Sequence, residues 1–263
     1  MTSATRVLIT GGGSGIGAAC ARAFAARGAR VAVNGRRAEP LEEVARDTGA
    51  SAIAGDGGEA EEAEAIVAAA LRALGGLDCL VLNAGIGHSG TVLEQTPQSW
   101  RAVMRTNVDS AFLVARAALP ALIESRGTIV SVASKAALAA GPASAAYCTS
   151  KAAMVMLTKT IALDYGPLGV RANAVCPGWV RTPMGDRAMD ALATERGIDR
   201  EAAYALANAA VPARRPASPA EVAALVVWLA SDEASYVNGA AIPVDGGAAA
   251  VDPALLAFGA GDG

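Results

Sequence analysis

Short apolar runs alternate with helical segments along most of this chain, and this alternation restricts the fold more than any other feature. The runs typical of buried strands are Arg6–Thr10, Arg30–Asn34, Ser51–Ala54, Asp78–Leu82, Thr128–Val132, Val170–Val175 and Ala240–Val244. The segments with helical periodicity are Gly15–Arg27, Glu59–Leu74, Gln98–Glu124, Ala145–Tyr165 and Pro219–Ser231. The pattern predicts an α/β fold in which helices cover both faces of a parallel sheet.

Two segments fall outside this alternation. The stretch 184–215 has mixed polarity and prolines near both ends, at Pro183, Pro212 and Pro216, so we expect an insertion of short helices there. The tail 248–263 is apolar before it ends in glycines. We expect this tail to dock on another surface, such as a partner subunit.

The composition favours one domain that spans residues 1–263. The chain is 53% hydrophobic and 18% charged, and this composition is sufficient for one large buried core.

A formal charge of −3, with basic residues scattered along the chain, predicts no nucleic-acid partner. Four isolated cysteines and one histidine predict no metal site. Without a charged leader or an apolar run of roughly 20 residues, the sequence predicts a soluble cytoplasmic protein with no membrane partner.

A glycine cluster joins the first predicted strand to the first helix. After Thr10 the residues of interest are Gly11, Ser14, Gly15, Ile16 and Gly17. Backbone N–H groups at this helix N-terminus can face a pyrophosphate, and a Cβ would block that approach. The spacing departs from the usual G-x-G-x-x-G fingerprint, so the cluster alone fits an ordinary strand-to-helix turn as well as a dinucleotide site.

Two arginines follow the second strand, where an NAD site would be expected to carry an acidic residue. Arg36 and Arg37 come directly after Gly35. Their guanidinium groups suit the 2′-phosphate of NADP(H), which the sequence therefore favours as cofactor. A solvated basic turn is the structural alternative, and NAD(H) is the alternative cofactor.

Polar residues also follow the third and fourth strands. Asp56 could accept a hydrogen bond from the adenine amino group. Asn83, Ala84 and Gly85 would bring thin backbone beside the adenosine ribose. Asp and Asn-x-Gly are equally common in turns, so both interpretations stay open.

Three residues form a candidate catalytic group. Tyr147 and Lys151 are four residues apart on one predicted helix, so the ammonium can approach the phenol, hold nicotinamide-ribose hydroxyls and favour the phenolate. Tyr147 would then act as general acid or base on a carbonyl or alcohol. Ser134 follows the fifth strand and would hydrogen-bond the same substrate oxygen. Taken singly each residue is ordinary, but together with the glycine cluster they predict hydride transfer.

From Thr10 to Gly247 the chain resembles the short-chain dehydrogenase/reductase family. The residues that carry the resemblance are the glycine cluster, Asn83, Ala84, Gly85, Asn107, Ser134, Tyr147, Lys151, Pro177, Gly178, Asp245, Gly246 and Gly247. The resemblance implies a single-domain Rossmann fold with a doubly wound, seven-stranded parallel sheet. It also implies that Asn107 joins the catalytic group through a proton-relay water near Lys151.

The same resemblance implies roles for the segment after the sixth strand. Pro177, Gly178, Val180 and Thr182 would lie beside the nicotinamide, with the Val180 backbone and the Thr182 hydroxyl bonding its carboxamide. A substrate lid would span residues 184–211. Members of the family commonly form tetramers, so the resemblance implies a homotetramer.

Two positions depart from the family pattern. Leu82 replaces an asparagine that usually precedes Asn83, which we expect to alter local packing only. Lys135 follows the catalytic serine and puts a positive charge at the rim of the site, where it could attract an acidic substrate. A lysine that points into water is the alternative. His88 could line the pocket or lie in an exposed loop.

The sequence therefore predicts an enzyme that transfers hydride between NADP(H) and a carbonyl or secondary alcohol, similar to the 3-oxoacyl-carrier-protein reductases. An NAD-dependent dehydrogenase of a small alcohol, sugar or cyclic diol is the alternative within this class. A dinucleotide-sensing protein without turnover is a third hypothesis, which the presence of both Tyr147 and Lys151 argues against.

Overall fold

A computed structural model describes residues 5–252 and contains the seven predicted strands. They are β1 (Arg6–Thr10), β2 (Arg30–Gly35), β3 (Ser51–Ala54), β4 (Cys79–Leu82), β5 (Thr128–Val132), β6 (Arg171–Pro177) and β7 (Ala241–Val244). The helices are α1 (Gly15–Ala25), α2 (Ala38–Thr48), α3 (Ala60–Leu74), α4 (Pro97–Met104), α5 (Ser110–Ser125), α6 (Ala145–Tyr165), α7 (Pro183–Arg196), α8 (Arg200–Ala207) and α9 (Pro219–Leu229).

The strands form one parallel sheet in the order β3-β2-β1-β4-β5-β6-β7. The chain builds outward from β1 to β3, then returns to β4 on the other side of β1. In such a doubly wound sheet the loops after the two central strands separate, and a crevice opens at their carboxyl ends. The predicted seven-stranded Rossmann fold is confirmed, and its crevice lies beyond Thr10 and Leu82.

Alternate residues of the central strands enter two different cores. Val7 and Ile9 pack with Phe24 of α1 and Val226 of α9 on one face. Leu8, which points the other way, joins the core formed by α3, α5 and α6. Burial on both faces explains why these strands are continuous apolar runs rather than alternating patterns.

Three helical predictions need correction. Helix α2 was not predicted; its signals are Leu41 and Val44, both buried and three residues apart, and Gly49 as its left-handed C-cap. The predicted helix Gln98–Glu124 is interrupted by a π-helical turn at Arg105–Asp109. The predicted short helices of the insertion include α7, which has 14 residues.

The insertion forms a small helical unit with its own core. Helices α7 and α8 pack through Met189, Ala193, Ala203 and Tyr204. The predicted C-terminal tail is described only to residue 252, with a 3₁₀ turn at Ala248–Ala250. Its remainder, and with it the predicted docking, lies outside the described residues. Across residues 5–252, no helix combines the length and the hydropathy that crossing a membrane requires.

Candidate active site

The crevice contains two cavities, and Ile86 lines both of them. The first has a volume of about 460 Å³, and its predicted cofactor residues are Gly11, Ser14, Arg36, Arg37, Asp56, Ala84 and Gly85. The second has a volume of about 780 Å³, and its predicted site residues are Ile16, Ser134, Tyr147, Pro177, Gly178, Val180 and Thr182. The fold thus brings residues from the ends of six strands, β1 to β6, to one edge of the sheet.

The glycines of the first turn allow the loop after β1 to touch the loop after β4. A Cβ on Gly11 would lie 2.8 Å from Asn83 Nδ2 and 2.9 Å from the Cα of Ala84, and its φ of +64° also favours glycine. A Cβ on Gly17 would lie 2.6 Å from Asn83 Nδ2. These two glycines are therefore required by a protein contact, in addition to any approach of a ligand.

Asn83 and Thr10 hold that contact together. The Asn83 amide donates to the carbonyl oxygens of Thr10 and Gly11, both at 3.0 Å. The Thr10 hydroxyl accepts the backbone N–H groups of Asn83 at 3.0 Å and Ala84 at 3.1 Å. Sequence reasoning did not assign this role to Thr10, although a hydroxyl at the last position of β1 is the signal for it.

The loop after β6 meets the same glycine turn. A Cβ on Gly15 would lie 3.1 Å from Thr182 Cγ2, so this glycine accommodates Thr182. The Thr182 hydroxyl accepts the Gly185 N–H at 3.1 Å and thereby caps α7. It also contacts the Val180 carbonyl at 3.4 Å. Contact with a carboxamide stays a prediction for Thr182, whose hydroxyl already caps the start of α7.

Arg36 and Arg37 lie at the edge of the first cavity and are exposed. Within the described part of the chain, neither guanidinium forms a hydrogen bond or an ion pair. The preceding Asn34 is buried, and its amide donates to the carbonyls of Ile53 at 3.0 Å and Gly55 at 3.2 Å. Asn34 thus ties β2 to β3, and the two arginines supply the charge at this edge.

Asp56 was predicted to accept a hydrogen bond from adenine, but its carboxylate already has partners within the protein. One carboxylate oxygen pairs with Arg105 Nη2 at 3.0 Å, and the other accepts the Gly58 N–H at 3.0 Å. Arg105 in turn pairs with Glu59 at 2.8 Å. Any contact between Asp56 and adenine would have to share this carboxylate, so the adenine role stays a prediction.

Ser134 and Tyr147 meet at the wall of the second cavity. Both residues line this cavity, and Ser134 Oγ accepts the Ala136 N–H at 3.1 Å. The predicted lowering of the tyrosine pKa is wrong for the protein alone: burial raises the pKa of Tyr147, and the nearby Ser134 side chain only partly opposes this. Ser131, the neighbouring serine, is buried in β5 and bonds Thr158 at 2.8 Å.

Lys151 lies four residues after Tyr147 on α6 and is 4% exposed. Its Nζ is 5.9 Å from the centre of the Tyr147 ring and donates to the Val132 carbonyl at 3.0 Å and Met154 Sδ at 3.4 Å. Burial lowers the pKa of Lys151 to about 8. The ammonium is held beside the Tyr147 ring, and no carboxylate of the described residues pairs with it.

Asn107 occupies the π-helical turn and is fully buried. Its Oδ1 accepts the Ile86 N–H at 2.8 Å, and its Nδ2 donates to the Ile86 carbonyl and to Ser150 Oγ, both at 2.9 Å. Ser150 Oγ donates to the Tyr147 carbonyl at 2.8 Å. The Asn107 side chain therefore fixes Ile86 and, through Ser150, the turn of α6 that carries Tyr147, a role that the sequence did not predict.

Ser150 is a positioning residue that sequence reasoning missed. It is fully buried and joins Asn107 to the turn of α6 that carries Tyr147. The available signal was its place three residues after Tyr147 and directly before Lys151. Residues at this spacing share a helix face, so Ser150 faces the elements that pack against the catalytic helix.

The residues that depart from the family pattern have clear positions. Leu82 is buried in the core on the α5 side of the sheet. Lys135 and His88 both line the second cavity. The His88 ring Nδ1 lies 3.1 Å from Gln95 Nε2, so the histidine is tied to its own loop.

Comparison with known proteins identifies the family. The family model described as enoyl-(acyl carrier protein) reductase matches residues 11–249. The meso-2,3-butanediol dehydrogenase of Serratia marcescens is 39% identical over 249 residues, which cover 94% of this chain and 95% of that protein. The chain belongs to the short-chain dehydrogenase/reductase family. As a member of this family, the protein is an oxidoreductase.

Solved short-chain dehydrogenase/reductase structures match the whole fold. A variant of actinorhodin polyketide ketoreductase with NADPH is similar with a TM-score of 0.90 and 34% identity, covering 95% of this chain and 100% of that one. The 3-ketoacyl-(acyl-carrier-protein) reductase of Brucella melitensis complexed with NADH has a TM-score of 0.84 and 31% identity, covering 93% and 98%. The two complexes hold different nicotinamide dinucleotides, so the fold alone does not select between them.

Proposed function

We propose that this short-chain dehydrogenase/reductase transfers hydride between NADP(H) and a ketone or secondary alcohol. The observation that carries the proposal is that Ser134 and Tyr147 line one cavity, with buried Lys151 beside the tyrosine ring. Two hydroxyls at one cavity wall can bond one substrate oxygen together. A carbonyl oxygen, which gains negative charge during reduction, is the group that benefits most.

In the direction of reduction, Tyr147 donates its phenolic proton to the carbonyl oxygen. Ser134 donates a hydrogen bond to the same oxygen, and general acid catalysis of this kind typically contributes about 10²–10⁴ in rate. When bound, the nicotinamide cofactor supplies the hydride or accepts it in the reverse direction. With a pKa of about 8, Lys151 is mostly protonated at neutral pH, so its charge stabilises the phenolate that proton donation leaves.

The first cavity fits the adenosine half of a dinucleotide. Its wall includes the backbone of Gly11, Gly13 and Ser14 at the N-terminus of α1, where a pyrophosphate is favoured. Arg36 and Arg37 lie at the same cavity, and within residues 5–252 no protein anion pairs with them. A 2′-phosphate would supply that anion, which supports NADP(H) over NAD(H).

The second cavity would receive the nicotinamide and the substrate. Ile16, Pro177, Gly178 and Val180 line this cavity and would hold the nicotinamide, with Thr182 at the start of the lid. Asn107 supports this arrangement through Ile86 and Ser150. A proton-relay water near Lys151 is part of the proposal.

We also propose that the enzyme is a homotetramer. Phe112 on α5 is 50% exposed, and Met156 and Leu163 on α6 are 59% and 77% exposed. Helix α5 directly follows the π turn, and helix α6 carries Tyr147. Light scattering of the purified protein measures the assembly, and Leu163→Arg should reduce its mass.

The test of the cofactor assignment is a pair of titrations with NADPH and NADH, followed by nicotinamide fluorescence. Arg36→Ala and Arg37→Ala should each weaken NADPH binding by about tenfold or more and change NADH binding little, since each removes a charge-assisted hydrogen bond. Arg46→Ala is the matched control, because Arg46 is an exposed arginine of α2 outside the cavity. Equal losses for both cofactors, or tighter NADH binding by the wild type, would favour the NAD-dependent dehydrogenase instead.

A further inference from the structure

Two cations without a partner line the second cavity. Lys135 comes from the turn directly after Ser134, and Arg187 comes from α7 in the lid. Within residues 5–252, neither side-chain cation forms an ion pair or a hydrogen bond. The two charges therefore reach the same cavity from two different elements, the turn after β5 and α7.

Arg187 is unusual among the arginines of its segment. Between residues 181 and 215 the other arginines all have a protein partner: Arg181 with Glu201, Arg196 with Glu195, Arg200 with Asp190, Arg214 with the Ala209 carbonyl, and Arg215 with Glu221. In this segment of the described chain, Arg187 is thus the arginine that lines the cavity and has no protein partner.

The other charged group at this cavity does not neutralise the two cations. Asp245 also lines it, but its two carboxylate oxygens accept the backbone N–H groups of Gly247 at 3.0 Å and Ala249 at 2.7 Å. His88 is tied to Gln95. The cavity wall therefore carries an excess of positive charge beside the catalytic hydroxyls, which raises the local concentration of anions.

Small apolar residues line part of the same cavity. They include Ala139, Ala140, Ala188 and Ala191. Such a surface offers room and apolar contact but few polar partners for the body of a ligand. A ligand with an apolar body and one anionic end matches this distribution.

We propose that Lys135 and Arg187 form a subsite for an anionic group of the substrate, a carboxylate or sulfonate, so that the substrate is an acidic ketone or the corresponding hydroxy acid. The inference rests on the proposed function, because the reacting oxygen is placed at Ser134 and Tyr147. An anion held by both residues would connect the turn after β5 to the lid. Binding of the acid would thereby draw α7 toward the catalytic wall.

The first test measures binding rather than turnover. Cofactor-loaded wild-type protein is titrated calorimetrically with 3-oxo, 4-oxo and 5-oxo carboxylic acids and with their methyl esters, which lack only the charge. At the best chain length, the acid should bind about tenfold or more tightly than its ester, as expected for charge-assisted contacts. If no acid of the series binds more tightly than its ester, the subsite is wrong.

Variants assign the preference to the two residues. Lys135→Gln and Arg187→Gln should each reduce the acid-to-ester affinity ratio by about threefold or more, and the double variant should abolish it. Lys135→Arg should retain most of the ratio. Arg196→Gln, on the same helix but outside the cavity, is the matched control and should leave the ratio unchanged. A ratio that survives in the double variant would overturn the assignment.

Turnover separates this inference from the proposed function. Cofactor oxidation is followed with the same acids and esters. Reduction of both at similar efficiency by wild-type and double-variant protein would leave the ketone reductase in place and remove the anionic subsite. Preferential acid binding without hydride transfer to any member of the series would support the subsite and count against the proposed reaction for these ketones.

Discussion

The wall around Tyr147 and the turn at Arg36 and Arg37 are built in opposite ways. Around Tyr147 the polar groups are buried and bonded in sequence, from Ile86 through Asn107 and Ser150 to the catalytic helix. At the arginine turn both guanidinium groups are exposed and have no partner within residues 5–252. The protein itself therefore fixes the buried polar groups around Tyr147, whereas it leaves the charges of Arg36 and Arg37 unpaired within the described residues.

Because of this difference, substitutions in the two regions should have different effects on stability and function. Removal of a buried, bonded group leaves its partner unsatisfied and costs stability as well as function. Removal of an exposed, unpaired charge leaves no such gap in the folded protein. Variants of the first region should affect folding and turnover, and variants of the second should affect only ligand affinity.

The largest effect is expected for Tyr147→Phe. Because it removes the transferable proton and keeps the ring, kcat should fall by about 10²–10⁴ while cofactor affinity stays close to that of the wild type. Stopped-flow turnover and fluorescence titration measure the two quantities. Tyr165→Phe, on the same helix, is the matched control, and substantial turnover by Tyr147→Phe would remove Tyr147 from the acid/base role.

The next effect concerns the pH dependence of stability. Burial lowers the pKa of Lys151 from 10.5 to about 8, so between these values the folded protein binds fewer protons than the unfolded chain. The free energy of unfolding should then rise with pH through this window, and the contribution of Lys151 should grow by roughly 2 kcal/mol between about pH 8 and pH 10.

Urea unfolding of the cofactor-free protein at several pH values measures this contribution. The difference in free energy of unfolding between wild type and Lys151→Met should rise with pH across the window. Lys159→Met, an exposed lysine of the same helix, serves as control and should run parallel to the wild type. A Lys151→Met curve that also runs parallel would mean that the buried lysine is not perturbed.

The smallest effects compare the two regions directly. Ser150→Ala leaves an Asn107 N–H without its acceptor in a buried site, and should lower the free energy of unfolding by about 1–2 kcal/mol. Arg37→Ala should change it by no more than about 0.5 kcal/mol. Chemical denaturation of both variants decides the point. Equal destabilisation would contradict the contrast between a bonded wall and an unpaired turn.

Much of the fold could be predicted from the sequence because strands buried on both faces have continuous apolar sequences. All seven were found, and α6 was found with its observed bounds. Helix α2 was missed because it buries only Leu41 and Val44. The break at Arg105–Asp109 was missed because a π turn needs no glycine or proline to mark it.

In the candidate site, too, some features could be predicted from the sequence and others could not. Spacing on one helix was enough to place Tyr147 beside Lys151, and strand ends were enough to bring Ser134 and the glycine turn to one edge. The direction of the tyrosine pKa was wrong, because it depends on desolvation, which only packing determines. The partners of Asp56 and Asn107 come from elements distant in the chain.

The sequence by itself determined the parallel sheet, its crevice and the residue types that carry the proposed reaction, since these follow from local period and from short-range spacing. Only the tertiary structure decided which of those residues are already bonded and which are unpaired. Asn83 and Thr182 are engaged by the protein, whereas Arg36, Arg37, Lys135 and Arg187 have no partner in the described part of the chain. The physical reason is that hydrogen bonding and burial are properties of contacts between distant segments, and those contacts exist only once the chain has folded.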